Sequence, residues 1–325
     1  MNSFGRLFRV SVFGESHGEM VGVTIDGCPA GIAIDADDFK HDLSRRKSGA
    51  KGTTPRVESD EPRIVSGLFK GYTTGSPVTI LFENSNTRSS DYRFSDIPRP
   101  GHADFVAGKK FHGFNNPGGG GHFSGRLTVG IVAAGVLAKK VLKDVIVKAR
   151  LLEAGGSKDV EKAIDDALKQ GDSIGGLIEC SVTGLPVGLG EPFFDSVESS
   201  ISHAVFAIPA IKGIEFGSGF KAASMKGSEH NDRFEDSSGK TITNHAGGIN
   251  GGITNGNEVI FRIAVKPTSS ISITQQTHNF AEDKPATLEI KGRHDACIAL
   301  RVPVVVEAVT AMVLADLTLI QKSYL

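Results

Sequence analysis

Cysteine is scarce in this 325-residue chain: Cys28, Cys180 and Cys297 lie far apart, are odd in number and never stand in C-x-x-C spacing. That pattern excludes a disulfide framework and a zinc knuckle, and it fits a reducing cytosol. An excess of one charge is lacking too. With a formal net charge of -1 and a pI near 6.8, no general attraction to nucleic acid or to an anionic membrane is expected, and basic clusters must be read locally. The opening MNSFGRLFRVSVFG has neither an extended apolar run nor a small-residue cleavage site, so a secretory signal is not expected and the location implied is cytoplasmic. The most apolar segment, VPVVVEAVTAMVLADLTLI (302–320), carries Glu307 and Asp316 and is marginal beside the ~20 apolar residues that span a bilayer. It reads as a buried helix, one that can equally cover a subunit interface. Histidines and carboxylates do not recur at ligand spacing, so no metal site is expected.

What is present is enough apolar residue, 39%, for a proper core, and 40 glycines, well above the usual ~7%. The glycines are spread along the chain and mark tight turns and close backbone approaches rather than a linker. With no composition break, residues 1–325 read as a single domain. Segments 7–13, 21–26, 76–84, 176–184 and 259–267 have the β-branched, alternating character of strands. IDADDFKHDLSRR predicts a helix with Asp35 as its N-cap and Arg45 and Arg46 at its C-terminal end. Segments 126–145 and 159–170 predict two more. KSGAKGTTPRVESDEPR after Arg46 is polar and irregular, a loop of the length that is usually functional or mobile. Strands come in runs and helices do not alternate with them, which favours α+β with antiparallel sheet over a doubly wound sheet.

Several short motifs carry chemistry. FGESHGE (13–19) matches the G-x-S-x-G pattern of a nucleophile elbow, but a strand follows where the elbow requires a helix, so Ser16 is a poor nucleophile. His17 is either a general acid, for which a free pKa of ~6.5 is suited, or a turn histidine bonded within its own loop. RPGHAD (99–104) sets a turn at Pro100-Gly101 and puts His102 at the start of a helix, either facing a cavity or capping that helix, with Arg99 and Asp104 close enough to bias its charge. NNPGGGGHFSGR (115–126) feeds into a long helix and offers backbone amides to an anion, unless it is merely a flexible loop. Gly120-x4-Gly125 has P-loop spacing, yet Arg126 stands at the lysine position and Leu127 at the Ser/Thr position, so ATP is not the expected ligand. NHAGGINGGI (244–253), KPTSSI (266–271) and KGRHDAC (291–297) add further Gly, Ser/Thr and Arg-His-Asp groups. Together these suit a phosphorylated anionic small molecule beside a second phosphate-bearing ligand.

FGESHG, RPGHAD, the glycine loop ending SGRLT, AIPAIKG, NHAGGINGGI, KPTSSI and GRHDAC occur in the order and spacing of the chorismate synthases, a family that the whole chain resembles. The resemblance implies a β-α-β sandwich with helices between antiparallel sheets, and a lyase that converts 5-enolpyruvylshikimate 3-phosphate to chorismate and phosphate. It implies reduced FMN without net redox change, NADPH only as a reductant, and a homotetramer. By the same resemblance His17 protonates the departing phosphate, His102 protonates the reduced flavin and Asp295 assists proton removal. His122, Phe123, Ser124, Ala210, Gly251, Lys266, Pro267, Thr268, Ser269, Ser270 and Arg293 are implied flavin contacts, with Ser16, Arg46 and Arg126 around the substrate. Two departures stand out. GGGHFSGRLT has His122 and Phe123 where many members carry arginine and serine, and RRKSGAKG has Gly52 where many carry arginine. A flavin oxidoreductase and a non-catalytic phosphometabolite binder are the competing readings.

Overall fold

The computed structural model describes residues 2–85, 94–290 and 294–324. In chain order the strands are β1 (Ser3–Phe4), β2 (Arg9–Gly14), β3 (Met20–Asp26), β4 (Arg63–Ser66), β5 (Leu68–Phe69), β6 (Tyr72–Thr73), β7 (Val78–Glu83), β8 (Ile146–Ala154), β9 (Gly176–Thr183), β10 (Ile211–Phe216), β11 (Ile249–Asn250), β12 (Ile253–Thr254), β13 (Val259–Val265), β14 (Gln275–Asn279) and β15 (Lys284–Leu288). The helices are α1 (Lys40–Arg46), α2 (Asp104–Lys110), α3 (Thr128–Leu142), α4 (Val160–Gln170), α5 (Val197–Val205), α6 (Gly227–His230) and α7 (Val302–Tyr324).

Among the described residues the strands form two large sheets, in orders β1-β2-β3-β7-β4 and β10-β13-β9-β8, and three two-stranded ones, β5-β6, β11-β12 and β14-β15, with every pairing antiparallel. Alternation explains the first: Val21, Val23 and Ile25 of β3 and Val78, Ile80 and Phe82 of β7 turn one face inward and bury completely or nearly so. α3 covers that face, α7 covers β8 and β9, and the two helices pack on each other along one continuous apolar core. The layers therefore run sheet, helices, sheet, as the resemblance implies. α3 is apolar on all sides because it is enclosed on all sides. Its Gly135 sets the helix crossing: a Cβ there would stand 2.4 Å from the Ala308 Cβ of α7.

The two acidic residues that interrupt the apolar run of α7 are anchors. Glu307 accepts both terminal nitrogens of Arg45 at 2.7 Å and the Ala149 amide at 2.9 Å, joining α1, α7 and β8. Asp316 accepts the amides of Arg6, Leu7 and Phe8 at 2.7–3.0 Å, fixing the turn that leads into β2. Burial alone would raise the Glu307 carboxyl, but Arg45 and Lys139 hold it below the ordinary range.

The expected helices and strands are present with shifted ends. Residues 125–127 form a tight turn before α3, and Lys143 at φ +53° ends the helix so that β8 can begin at Ile146. Asp35 accepts the amides of Asp37 and Asp38, and Asp159 caps α4 through the Lys162 amide. The sequence analysis named no element at β8, α5 or the β14–β15 hairpin, although α5 buries Val197, Ile201, Ala204 and Val205 along one face.

Candidate active site

The glycine run 118–121 is the frame of the site. Gly119, Gly120 and Gly121 take φ of +60°, +82° and +55°, three consecutive left-handed conformations that only glycine adopts without strain. Such a stretch cannot continue as helix. The expectation that these glycines open a helix N-terminus is corrected: α3 starts later, at Thr128, and the run is a fold of backbone standing between two histidines. His17 lies against one side, its Nε2 and Cδ2 2.5 Å from where a Gly119 Cβ would be, and His102 lies 3.7 Å from the corresponding point on Gly120.

Two cavities adjoin here and share Gly119, Ser124, Gly125 and Ile298 as common wall. The larger, about 760 Å³, is amphipathic. Phe123, Leu127, Ile208, Pro209 and Met312 form its apolar surface, and His102, Lys212, Lys266, Thr268, Ser269 and Ser270 its polar one. Of the expected flavin contacts, His122, Phe123, Ser124, Ala210, Lys266, Thr268, Ser269 and Ser270 line this cavity. Pro267 and Gly251 do not; Gly251 sits at the exposed tip of the β11–β12 hairpin. Arg293 lies outside the described residues. The Thr268 hydroxyl oxygen is buried without a hydrogen-bond partner, an unmet polar group of the kind a ligand satisfies. A cavity of this size, with an apolar floor, convergent donors and two lysines, has the surface chemistry that a flavin requires.

The smaller cavity, about 150 Å³, gathers Arg46, Arg56, Arg126 and Arg301 with Glu58, Asp60 and Asp295. Asp60, fully buried, pairs with both Arg46 and Arg126. Burial alone would raise its carboxyl, but the two guanidiniums outweigh that and hold it below the usual range. Arg126 is further spent on Asn84 Oδ1 at 2.8 Å and Glu83 O at 3.0 Å. Arg46, by contrast, keeps Nε and Nη1 buried without partners. Its burial lowers the guanidinium pKa and Asp60 opposes that, so an arriving anion meets a cation already stripped of water. Asp295 accepts the Thr54 amide at 3.0 Å and has Arg301 at 3.4 Å.

Ser16 is completely buried and lines neither cavity. Its hydroxyl accepts Arg56 Nη1 at 3.0 Å, its carbonyl accepts Arg56 Nη2 at 3.0 Å, and its amide donates to Gly121 O. Ser16 is thus held inside the fold rather than presented at an elbow, and it reaches the smaller cavity only through its bonds to Arg56, which lines that cavity. Arg56 is in turn held by Glu58, which also accepts the Ser85 amide and hydroxyl.

Comparison with known proteins identifies the family. The family described as chorismate synthase matches residues 8–319. A chorismate synthase of Chitinophaga pinensis is 64% identical over 324 residues, covering 99% of this chain and 98% of its own length. The chain belongs to the chorismate synthase family. A relative of that name in Dehalococcoides mccartyi is 46% identical, covering 98% of this chain and 96% of its own, and one in Thermococcus kodakarensis is 41% identical with 98% of both covered. A crystal structure of a chorismate synthase superposes with a TM-score of 0.75 at 24% identity, covering 98% of this chain and 93% of that one, which establishes the shared fold.

The departures from the common chorismate synthase pattern now have physical content. His122 places Nδ1 2.9 Å from Gly14 O and Nε2 3.0 Å from Asn2 Oδ1, so its ring ties the glycine frame to the end of β2 and presents only a face to the cavity. Gly52 has φ +85°, and a Cβ there would meet Ile164 at 2.7 Å; this position packs against α4. Arg56 and Arg301, which sequence reasoning passed over, supply the cavity's further positive charge. The signal for Arg56 was its place in the long polar loop, and for Arg301 its closeness to the GRHDAC motif.

Proposed function

We propose that this chain, as one domain, performs its family's anti-1,4-elimination: loss of phosphate from 5-enolpyruvylshikimate 3-phosphate to give chorismate, the last common step toward aromatic amino acids. The observation that carries it is the pair of adjoining cavities, one amphipathic and one ringed by arginines, with a glycine wall between them. Enzymes of this family use reduced flavin; we assign FMN here, with NADPH at most its reductant. When bound, the reduced flavin supplies transient electron density to the substrate ring and recovers it, so there is no net redox change.

The chain's own residues bind, orient and move protons. Arg46, with two unpartnered nitrogens, takes an anionic oxygen of the substrate, and Arg56 and Arg301 stand beside it. His17 holds a proton for the departing phosphate, because a protonated phosphate is the better leaving group, and positioned acid catalysis is worth ~10²–10⁴-fold. His102 holds a proton at Nε2, the ring nitrogen left without a partner by its contacts at Nδ1, on the wall of the larger cavity. Asp295, in the smaller cavity, accepts a proton. We assign a homotetramer in the cytoplasm: exposed aromatics such as Phe193, Phe194 and Phe220 suit subunit contact, and α7, a helix long and apolar enough to cross a membrane, is instead packed on α3, α5 and β8.

Anaerobic phosphate release with limiting reduced FMN tests this reading. A lyase releases many phosphates per flavin, whereas one product per flavin would identify an oxidoreductase and binding without release a non-catalytic protein. His17→Ala and His102→Ala are expected to lose turnover by ~10²-fold or more while remaining folded.

A further inference from the structure

Asp104 lines neither cavity, yet it organises the wall of the larger one. Its Oδ1 lies 2.6 Å from His102 Nδ1 and accepts Arg99 Nη2 at 2.8 Å; its Oδ2 accepts Arg99 Nε at 2.7 Å and the Arg99 amide at 3.2 Å. Arg99, itself buried, donates from Nη1 to Ser270 Oγ at 3.0 Å, which joins the cluster to the cofactor segment. Arg99 Nη2 also stands 3.0 Å from His102 Nδ1. Those two neighbours make opposite demands. A carboxylate oxygen requires a proton on Nδ1, whereas a guanidinium requires a lone pair there. The closer partner is the carboxylate, which can only accept, so the geometry favours a proton on Nδ1. Among the described residues, Lys266 donates from Nζ to Gly101 O at 3.4 Å, and Lys212 lines the same cavity; both add positive charge.

We propose that Asp104 is a positioning residue for the reaction: through its bond to Nδ1 it fixes the His102 ring and allows Nε2 to present a second proton to the larger cavity, with Arg99 holding the carboxylate in place. This rests on the reading that His102 is an acid in that cavity. Burial alone would raise the Asp104 carboxyl, but Arg99 and His102 hold it far below the usual range, so it keeps its negative charge wherever the enzyme operates. Asp104→Asn changes one oxygen to NH2 with little change of shape. That NH2 either faces Arg99 Nε and the Arg99 amide, two donors, or faces Arg99 Nη2, one donor, together with His102 Nδ1, which it turns into an acceptor. The second arrangement retains more hydrogen bonds and takes the proton off Nδ1.

The test has two arms. In flavin-free protein, ¹⁵N resonances of the His102 ring report which nitrogen is protonated at neutral pH. Wild type and Asp104→Glu are expected to show a protonated Nδ1, and Asp104→Asn is expected to lose it; an unchanged Nδ1 signal in Asp104→Asn overturns the proposal. In phosphate-release kinetics, Asp104→Asn is expected to lower kcat ~10–100-fold with KM little changed, since only the acid is affected. In a His102→Gln background the same substitution is expected to cost less than ~2-fold, because residues acting as a unit are not additive. A full additional loss in that background marks a merely structural role and overturns the proposal. If His102→Gln alone keeps wild-type turnover, the acid role of His102 fails, while the resonance arm still decides whether Asp104 places the proton.

Discussion

Asp60→Asn isolates the electrostatic cost of assembling the arginine-lined cavity. The Asp60 side chain has no exposed surface and, among the described residues, is the carboxylate that ion-pairs directly with both Arg46 and Arg126, both buried. Its backbone is left-handed at φ +53°, a conformation that Asn tolerates at least as well, so the substitution removes a charge while preserving local geometry. Removing one partner of a buried ion pair costs ~3–5 kcal/mol, because the remaining charges are left without compensation. Against a typical total of ~5–15 kcal/mol that is a large fraction. For a chain of this size, with an m-value near ~3 kcal/mol/M, the urea midpoint of flavin-free protein at pH 7 should fall by ~1–2 M. Inorganic phosphate should restore part of it, since a dianion supplies the missing charge, and a ligand at 100 times its Kd contributes ~2.7 kcal/mol. A midpoint within ~0.2 M of wild type would show that the two guanidiniums do not depend on Asp60, and the account of the cavity's charge balance would be wrong.

Gly119→Ala should abolish most turnover, because the new methyl would stand 2.5 Å from the His17 ring at φ +60°; phosphate release measured beside a circular dichroism spectrum separates this from unfolding, and near-normal activity would refute the placement of His17. Ala210→Gly should raise flavin-free stability by roughly 1 kcal/mol in urea titration, since Ala210 holds φ +75° on the wall of the larger cavity; a clear loss would refute the strain argument. Acid should destabilise the protein through Asp60 and Asp104. Both carboxyls titrate lower in the folded chain than in the unfolded one, so their contribution is present above the unfolded value of ~3.9 and is lost as pH falls through the folded values. Asp60→Asn should accordingly show a shallower loss of stability below pH ~4 than wild type.

Much of the architecture was legible because its signals are local. The alternation of VGVTID and the all-apolar TVGIVAAGVLA report burial directly, and the Asp159 and Gly171 caps of α4 stand at its two ends. β8 was not legible: Val147, Ala149 and Leu151 alternate with more exposed neighbours, but a register shift between Leu151 and Glu153 breaks the pattern before it is long enough to stand out. Motifs pointed to His102, Arg46, Arg126 and Asp295, which line the two cavities, and to His17, which lies behind Gly119 of their shared wall, but partnerships between distant residues carry no sequence signal. Asp60 is 66 residues from Arg126, and Arg56 is 40 from Ser16. The glycine run shows the same limit in reverse. Its composition announced a close backbone approach, and only the geometry revealed that the close neighbour is an imidazole.

The placement of α7 bears on how the polypeptide is made. Asp316 secures amides that precede it by 308–310 residues, and Glu307 secures Arg45 from 262 residues away. During synthesis the first sheet therefore emerges long before its fastenings exist. Until α7 leaves the ribosome, the turn at Arg6–Phe8 and the buried flank of α3 stay open to water and to other chains. Ribosome stalling or premature termination upstream of α7 would thus leave a nascent product with an uncovered core, the kind of species on which chaperones and proteases act.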